Sequence, residues 1–339
     1  MRIVMKFGGT SVGDGARIKN AAELARASAT QGHAVVVAVS AMSGVTDTLI
    51  RAAKRAAEGD GETFVAAERD LWTKHLAALE QAVADAEARA ALREQVRRGL
   101  DGFVDFCTSI QILGELTPRA LDAIASLGER LCAPIFAQTL RESGANAEAI
   151  QATELIVTDD RFTQASPLMD ATCEKTRARL LPLLQAGAIP VVTGFIGATK
   201  NGVMTTLGRG GSDYTGTILG AALDADEVWI WTDVDGVMTA DPRVVKDARS
   251  LDVLTYREVA ELAFYGAKVL HPKTIRPVVE SGGVLRIKNT FNPSHPGTRI
   301  VEDGNGTRGA IKAVTAIKSL NLITVEGRGM MGVPGVAAR

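Results

Sequence analysis

The run His33-Ala34-Val35-Val36-Val37-Ala38-Val39 is apolar at nearly every position and rich in β-branched residues. A strand with one wet face alternates apolar and polar residues, so an unbroken run of this kind belongs to a strand covered on both faces, as in a parallel sheet between helices. Glu227-Val228-Trp229-Ile230-Trp231 repeats the pattern, and Ala188 to Thr193, Arg2 to Phe7 and a segment near Ala149-Ile150 read as further strands. Helical segments lie between them, one from about Ala16 to Gln31 closed by Gly32 and one from about Asp170 to Gln185. Lys200-Asn201-Gly202 reads as a hairpin turn. The alternation predicts an α/β three-layer sandwich: a mostly parallel central sheet with helices on both faces and one antiparallel hairpin.

Other segments are expected to be scaffold. From Asp47 to Gly102 the chain is Ala-, Glu- and Arg-rich, and the mixed charge of Glu80 to Arg98 predicts a solvated helical surface. Thr117-Pro118 is an N-cap and first-turn pair for a helix through Leu121, Ile124 and Leu127, before Gly128-Glu129-Arg130. At 339 residues and 46% hydrophobic content, the chain can build one large core and a second small unit. Its net charge of −1 carries no basic stripe for a phosphate backbone, so no nucleic-acid partner is expected. Cys107, Cys132 and Cys173 are odd in number and far apart, which predicts free thiols in a reducing compartment. No apolar run is long enough to span a bilayer; the expected setting is cytoplasmic, without a membrane partner.

In an open α/β sheet, ligands bind beyond the carboxyl ends of the strands. The residues placed there are chemically coherent. Lys6 ends the first strand and is followed by Gly8-Gly9, a point charge beside backbone N–H donors suited to nucleotide phosphates. This is not a P-loop, because the lysine precedes the glycines. Ser40 and Thr46 follow the second strand, and Gly194 and Phe195 follow Thr193. Thr205-Thr206-Leu207-Gly208-Arg209-Gly210-Gly211-Ser212-Asp213-Tyr214-Thr215 reads as a strand, a glycine turn and a helix start, with Ser212 as N-cap. Such a turn cradles anions: glycines allow close backbone approach, the helix start is partly positive, and Arg209 offers a two-pronged grip on a carboxylate or phosphate.

Four segments together carry a family resemblance: Lys6-Phe7-Gly8-Gly9-Thr10-Ser11, Gly208-Arg209-Gly210-Gly211-Ser212-Asp213, Thr232-Asp233-Val234-Asp235-Gly236 and Gly266-Ala267-Lys268-Val269-Leu270-His271-Pro272. Residues 2 to 300 resemble aspartate kinase, of the amino acid kinase superfamily. The resemblance implies the amino acid kinase fold, with a catalytic domain over 1–300 and, over 301–339, a linker and the incomplete start of an ACT regulatory domain. It implies transfer of the ATP γ-phosphoryl group to the β-carboxylate of L-aspartate, giving 4-phospho-L-aspartate for lysine, threonine and methionine biosynthesis. Mg²⁺ would be held mainly through the ATP phosphates, with no protein metal ligands. The full-length protein would form a homo-oligomer, a dimer, regulated by a pathway amino acid to which this chain would not respond. The alternatives are a superfamily member acting on another carboxylate and a catalytically idle amino-acid or nucleotide sensor.

By motif, Lys6, Phe7, Gly8, Gly9, Thr232, Asp233, Met238, Arg243, Lys268 and Val269 resemble the family's nucleotide contacts. Ser40, Thr46, Glu129, Phe195, Arg209, Gly210, Gly211, Ser212 and Asp213 resemble its aspartate contacts, and Lys6, Asp213 and Lys268 are the expected catalytic residues. Met238 departs from the tyrosine that is frequent there in the family. A β-carboxylate with an ordinary pKa near 4 is already ionised at neutral pH, so no general base is required. The chemistry reduces to bringing an anion up to a polyanion, through positioning and charge neutralisation. Asp213 is therefore expected to orient a lysine or the substrate ammonium.

Overall fold

The computed structural model describes residues 1–267, 270–302 and 311–317. Within them the chain runs through β1 (Arg2–Phe7), α1 (Gly15–Thr30), β2 (Ala34–Val39), α2 (Val45–Ala57), α3 (Gly61–Ala82), α4 (Ala86–Leu113), α5 (Pro118–Ala125), α6 (Leu127–Glu142) and β3 (Ala147–Ile150). It continues through β4 (Val157–Thr158), α7 (Met169–Gln185), β5 (Ile189–Thr193), β6 (Ile196–Thr199), β7 (Met204–Thr206), α8 (Gly211–Ala222) and β8 (Glu227–Thr232). The last elements are β9 (Val253–Thr255), α9 (Tyr256–Phe264), α10 (Pro272–Glu280), β10 (Val284–Asn289) and β11 (Thr298–Val301).

Eight strands form one sheet in the order β3-β5-β2-β1-β8-β10-β11-β9, parallel except where β10 meets β11. β1 lies between β2 and β8, so chain crossovers leave it in opposite directions and open a crevice at the strands' carboxyl ends. The apolar runs face helices on both sides, as their composition requires. Ile3, Met5, Phe7, Val35, Val37 and Val39 pack into one core with apolar residues of α1, α2, α3, α4 and α6. Val4, Val36 and Ala38 pack into the other, with α7, α8, α9 and α10. Strand side chains alternate faces, so Lys6 follows Val4 onto the α8 side.

Three expectations change. The hairpin at 200–202 joins β6 to β7 outside the main sheet, in a small second sheet with β4, and the main sheet carries its own antiparallel pair at β10 and β11. Glu80 to Arg98 is not simply a solvated surface. α3 and α4 form a helical hairpin that buries Leu79, Ala82, Leu92 and Val96, while the charges occupy its outer face. Ser212 is not the N-cap of α8. Gly210, at φ 71°, takes that position and the helix begins at Gly211, because a glycine in the left-handed region lets the chain turn in two residues earlier.

The expected domain boundary near residue 300 precedes residues 303–310 and 318–339, so most of that expectation lies outside the described residues. Residues 311–317 have no regular secondary structure. They are tied to the body by Val314 N–H donating to Thr239 O at 2.8 Å and by a Lys312–Glu258 ion pair at 2.7 Å.

Candidate active site

A cleft of about 780 Å³ opens at the carboxyl ends of β1, β2 and β8. Lys6 reaches it from β1; it is only 7% exposed, and its Nζ lies 2.5 Å from Asp213 Oδ1 in the first turn of α8. Gly216 makes that approach possible, since a Cβ there would stand 3.1 Å from Lys6 Cβ. The glycines after β1 are also close to their neighbours: Gly8 N–H donates to Trp231 O at 3.2 Å, and a Cβ on Gly9 would lie 3.1 Å from Ala41 O. Ser11 and Thr290 share a 2.6 Å hydroxyl hydrogen bond that pins the turn from below. Gly211, Ser212 and Asp213 present the opening turn of α8 to the cleft. Backbone N–H groups at a helix start lack intrahelical acceptors and carry part of the helix's positive end.

The opposite wall comes from α5, α6 and the segment after β2. Glu129, in the first turn of α6, is 2% exposed, and its Oε2 has no hydrogen-bond partner among the described residues. Burial pushes its pKa up to about 8, against the backbone N–H groups of Ala41 and of Glu129 itself and the positive charge of Lys6, which draw it down. Gly128 allows this close packing, since a Cβ there would fall 2.5 Å from Ala41 Cβ. Ser40, Thr46 and Asp47 line the same wall. Phe195, at φ 69°, is held by its N–H donating to Thr215 Oγ1 at 2.9 Å. Arg209 is exposed at the mouth, with no carboxylate partner among the described residues. One wall thus presents a buried acid and the other a lysine, an arginine and a helix start, a pairing suited to a zwitterion beside a polyphosphate.

The family model described as the amino acid kinase family matches residues 1–289. The chain belongs to the amino acid kinase family. Aspartokinase 1, chloroplastic, of Arabidopsis thaliana is 35% identical to it over 341 residues, spanning 99% of this chain and 58% of that relative. The bifunctional aspartokinase/homoserine dehydrogenase 2, chloroplastic, of Zea mays is also 35% identical, over 99% of this chain and 36% of the relative. The crystal structure of E. coli aspartokinase III in complex with aspartate and ADP superimposes with a TM-score of 0.82 at 34% identity, covering 90% of this chain and 65% of the other. This chain therefore spans less than two thirds of those relatives. Carbamate kinase from Giardia lamblia, at 14% identity and a TM-score of 0.53, shares the fold alone.

The structure brings Lys6, Gly8, Gly9, Ser40, Thr46, Glu129, Phe195, Arg209, Gly210, Gly211, Ser212, Asp213, Thr232 and Asp233 into the one cleft. Other motif residues of the family pattern lie elsewhere. The Phe7 side chain is fully buried between Phe136 and Trp231, with ring centroids 5.6 and 5.9 Å away, and does not line the cleft. Met238 makes an isolated antiparallel bridge with Ser250, Arg243 is exposed and paired with Asp241 at 2.7 Å, and neither lines the cleft. Lys268 and Val269 lie outside the described residues. Asp122, Thr163 and Thr206 line the cleft without having been picked out from the sequence. No local signal marks Asp122, whose partners lie 41 and 84 residues away.

A second cleft, of about 650 Å³, lies between α9 and residues 312–317. It contains the Glu258–Lys312 pair and none of the residues at the sheet's crevice.

Proposed function

We propose that this chain carries the catalytic unit of an aspartate kinase, transferring the γ-phosphoryl group of ATP to the β-carboxylate of L-aspartate. The observation that carries the reading is Lys6 held against Asp213 at 2.5 Å beneath the start of α8, facing a buried Glu129 with a free oxygen. The likeness to an aspartokinase solved with aspartate and ADP supports it.

The substrate's β-carboxylate attacks as it stands, being ionised at neutral pH. Lys6 neutralises charge shared by the entering carboxylate and the γ-phosphoryl oxygens, and Asp213 fixes the ammonium of Lys6 instead of abstracting a proton. Gly8, Gly9 and the first turn of α8 add N–H donors that are in place before the reaction, so they need little reorganisation as charge moves. Thr232 and Asp233 stand at the end of β8 on the nucleotide side of the cleft. Arg209 receives the α-carboxylate and Glu129 the α-ammonium, which places the β-carboxylate between them and Lys6.

Among the described residues no cluster of three His, Cys, Asp or Glu side chains is placed to hold a metal ion. Mg²⁺ fits such a site through the phosphates, because it binds few protein groups and keeps several waters. Asp213 and Asp233, which line the cleft, would accept from those waters, and the ion would screen phosphate charge.

The test is ATP with L-aspartate and hydroxylamine, with aspartyl hydroxamate formation as readout. ATP-dependent hydroxamate from aspartate is the expected result. Its absence, or product only from another acid such as acetylglutamate, would overturn the reading.

A further inference from the structure

Asp122, on α5, is 1% exposed and has no cationic partner among the described residues. Its carboxylate accepts from two loops instead. Thr163 N–H reaches both oxygens, at 3.0 and 2.9 Å; Thr206 N–H reaches Oδ2 at 3.0 Å; and Thr206 Oγ1 donates to Oδ1 at 2.6 Å. An isolated buried carboxylate is costly, and backbone N–H groups that lose a buried acceptor are costly in turn, so each of the four contacts stabilises the arrangement.

Those loops are not incidental. Thr206 is the last residue of β7, and the next four residues, including Arg209, lead into α8. Thr163 sits in the left-handed region at φ 70°, a conformation a β-branched residue adopts only when its surroundings impose it. Its carbonyl lies where a Cβ on Gly208 would come within 3.0 Å, so the two loops touch each other as well as Asp122. On the other side, Ser126 stays in the right-handed region between α5 and α6, and α5 therefore runs almost directly into the helix that carries Glu129.

We infer that Asp122 is a positioning residue that fixes the distance between the turn at 207–210, with the start of α8, and Glu129, and so sets the width of the amino-acid half of the cleft. The inference rests on the aspartate kinase reading for the identity of the amino acid, but not for the tether itself. Asp122 acts through its neighbours, since both its oxygens are taken by the loops. Most of the nucleotide half rests on β1 and β8, with which Asp122 makes no hydrogen bond; its bonds go to Thr163 and Thr206.

Asp122→Asn places an NH₂ donor against backbone N–H donors. It is expected to raise KM for L-aspartate by about tenfold or more while KM for ATP stays within about threefold, the pattern of a lost binding arrangement on one side only. Thr206→Val removes only the hydroxyl contact, so the same KM should rise less, and Thr206→Ser should restore it. These two variants carry the test if Asp122→Asn does not fold. A second readout uses no substrate: amide hydrogen exchange over 206–211 should quicken in Asp122→Asn while β8 keeps its protection. Equal rises in both KM values, or unchanged exchange over 206–211, would overturn the inference. A wild-type chain that makes no aspartyl hydroxamate would defeat the functional reading, and the exchange measurement would still decide the tether.

Discussion

Lys6 and Asp213 answer each other's charge in a place where neither is well hydrated, with side chains 9% and 23% exposed. Lys6→Ala leaves the carboxylate at the edge of the cleft without its cation and removes a preorganised positive charge from the reacting oxygens. kcat/KM should fall by about 10²- to 10³-fold in a coupled ADP assay, the scale seen when one such donor is lost, and near-wild-type turnover would remove Lys6 from its assigned role. Glu129 makes a different prediction. Its pKa stands at about 8 in the folded chain, above the ordinary 4.5, so between those values the folded state holds a proton that the unfolded state has released. The linked contribution is fully present below about pH 4.5 and is lost as pH rises to about 8, so stability falls across that window. Buried His75, lowered to about 4, acts in the opposite sense up to about pH 6.5, which leaves pH 6.5 to 8 as the window dominated by Glu129. Urea midpoints for Glu129→Gln should show a flatter slope there than wild type, while KM for aspartate rises. An identical slope would mean that Glu129 is ionised throughout.

At the scale of an element, α8 shows why the glycine-rich loop was readable and its exact start was not. Gly208 and Gly210, at φ 78° and 71°, mark a turn that other residues would enter only with strain, and the sequence announces it. Which residue then caps the helix depends on where the turn aims the chain, and Gly210 displaces Ser212 by two positions. Inside α8, glycine normally costs about 0.8–1.0 kcal/mol relative to alanine. Gly220 is there for another reason: a Cβ would come within 2.3 Å of Val228 Cγ2 on β8. Gly220→Ala is therefore expected to destabilise by about 1–3 kcal/mol, overpacking outweighing helix propensity. A thermal melt checks it, and an increased Tm would show that α8 can shift away from the sheet. The α3–α4 hairpin illustrates the converse failure, since its abundant charges masked the apolar stripe that Leu79, Leu92 and Val96 bury.

On the scale of the whole molecule, the cleft joins two halves whose helices pack on opposite faces of one sheet. A ligand that bridges them binds only the folded chain and must stabilise it. Mg-ADP together with L-aspartate should raise Tm, and a ligand at 100 times its Kd adds about 2.7 kcal/mol. Differential scanning calorimetry with each ligand alone and with both gives the check. No shift with either would remove the cleft as their site.

The sequence by itself determined the class of fold, because unbroken apolar runs such as 34–39 read as strands covered on both faces and the helical segments alternating with them supply the covering layers. It also placed Lys6, the glycines and Arg209 at strand ends, since strand periodicity and turn chemistry are local. Only the tertiary structure decided that Lys6 meets Asp213, that Glu129 is buried with a free oxygen, that Phe7 belongs to the core and that Asp122 ties two remote loops to α5. Those outcomes depend on which helix crosses which strand and how closely. Such distances are set by side-chain packing across the whole core, and no stretch of sequence a few residues long contains them.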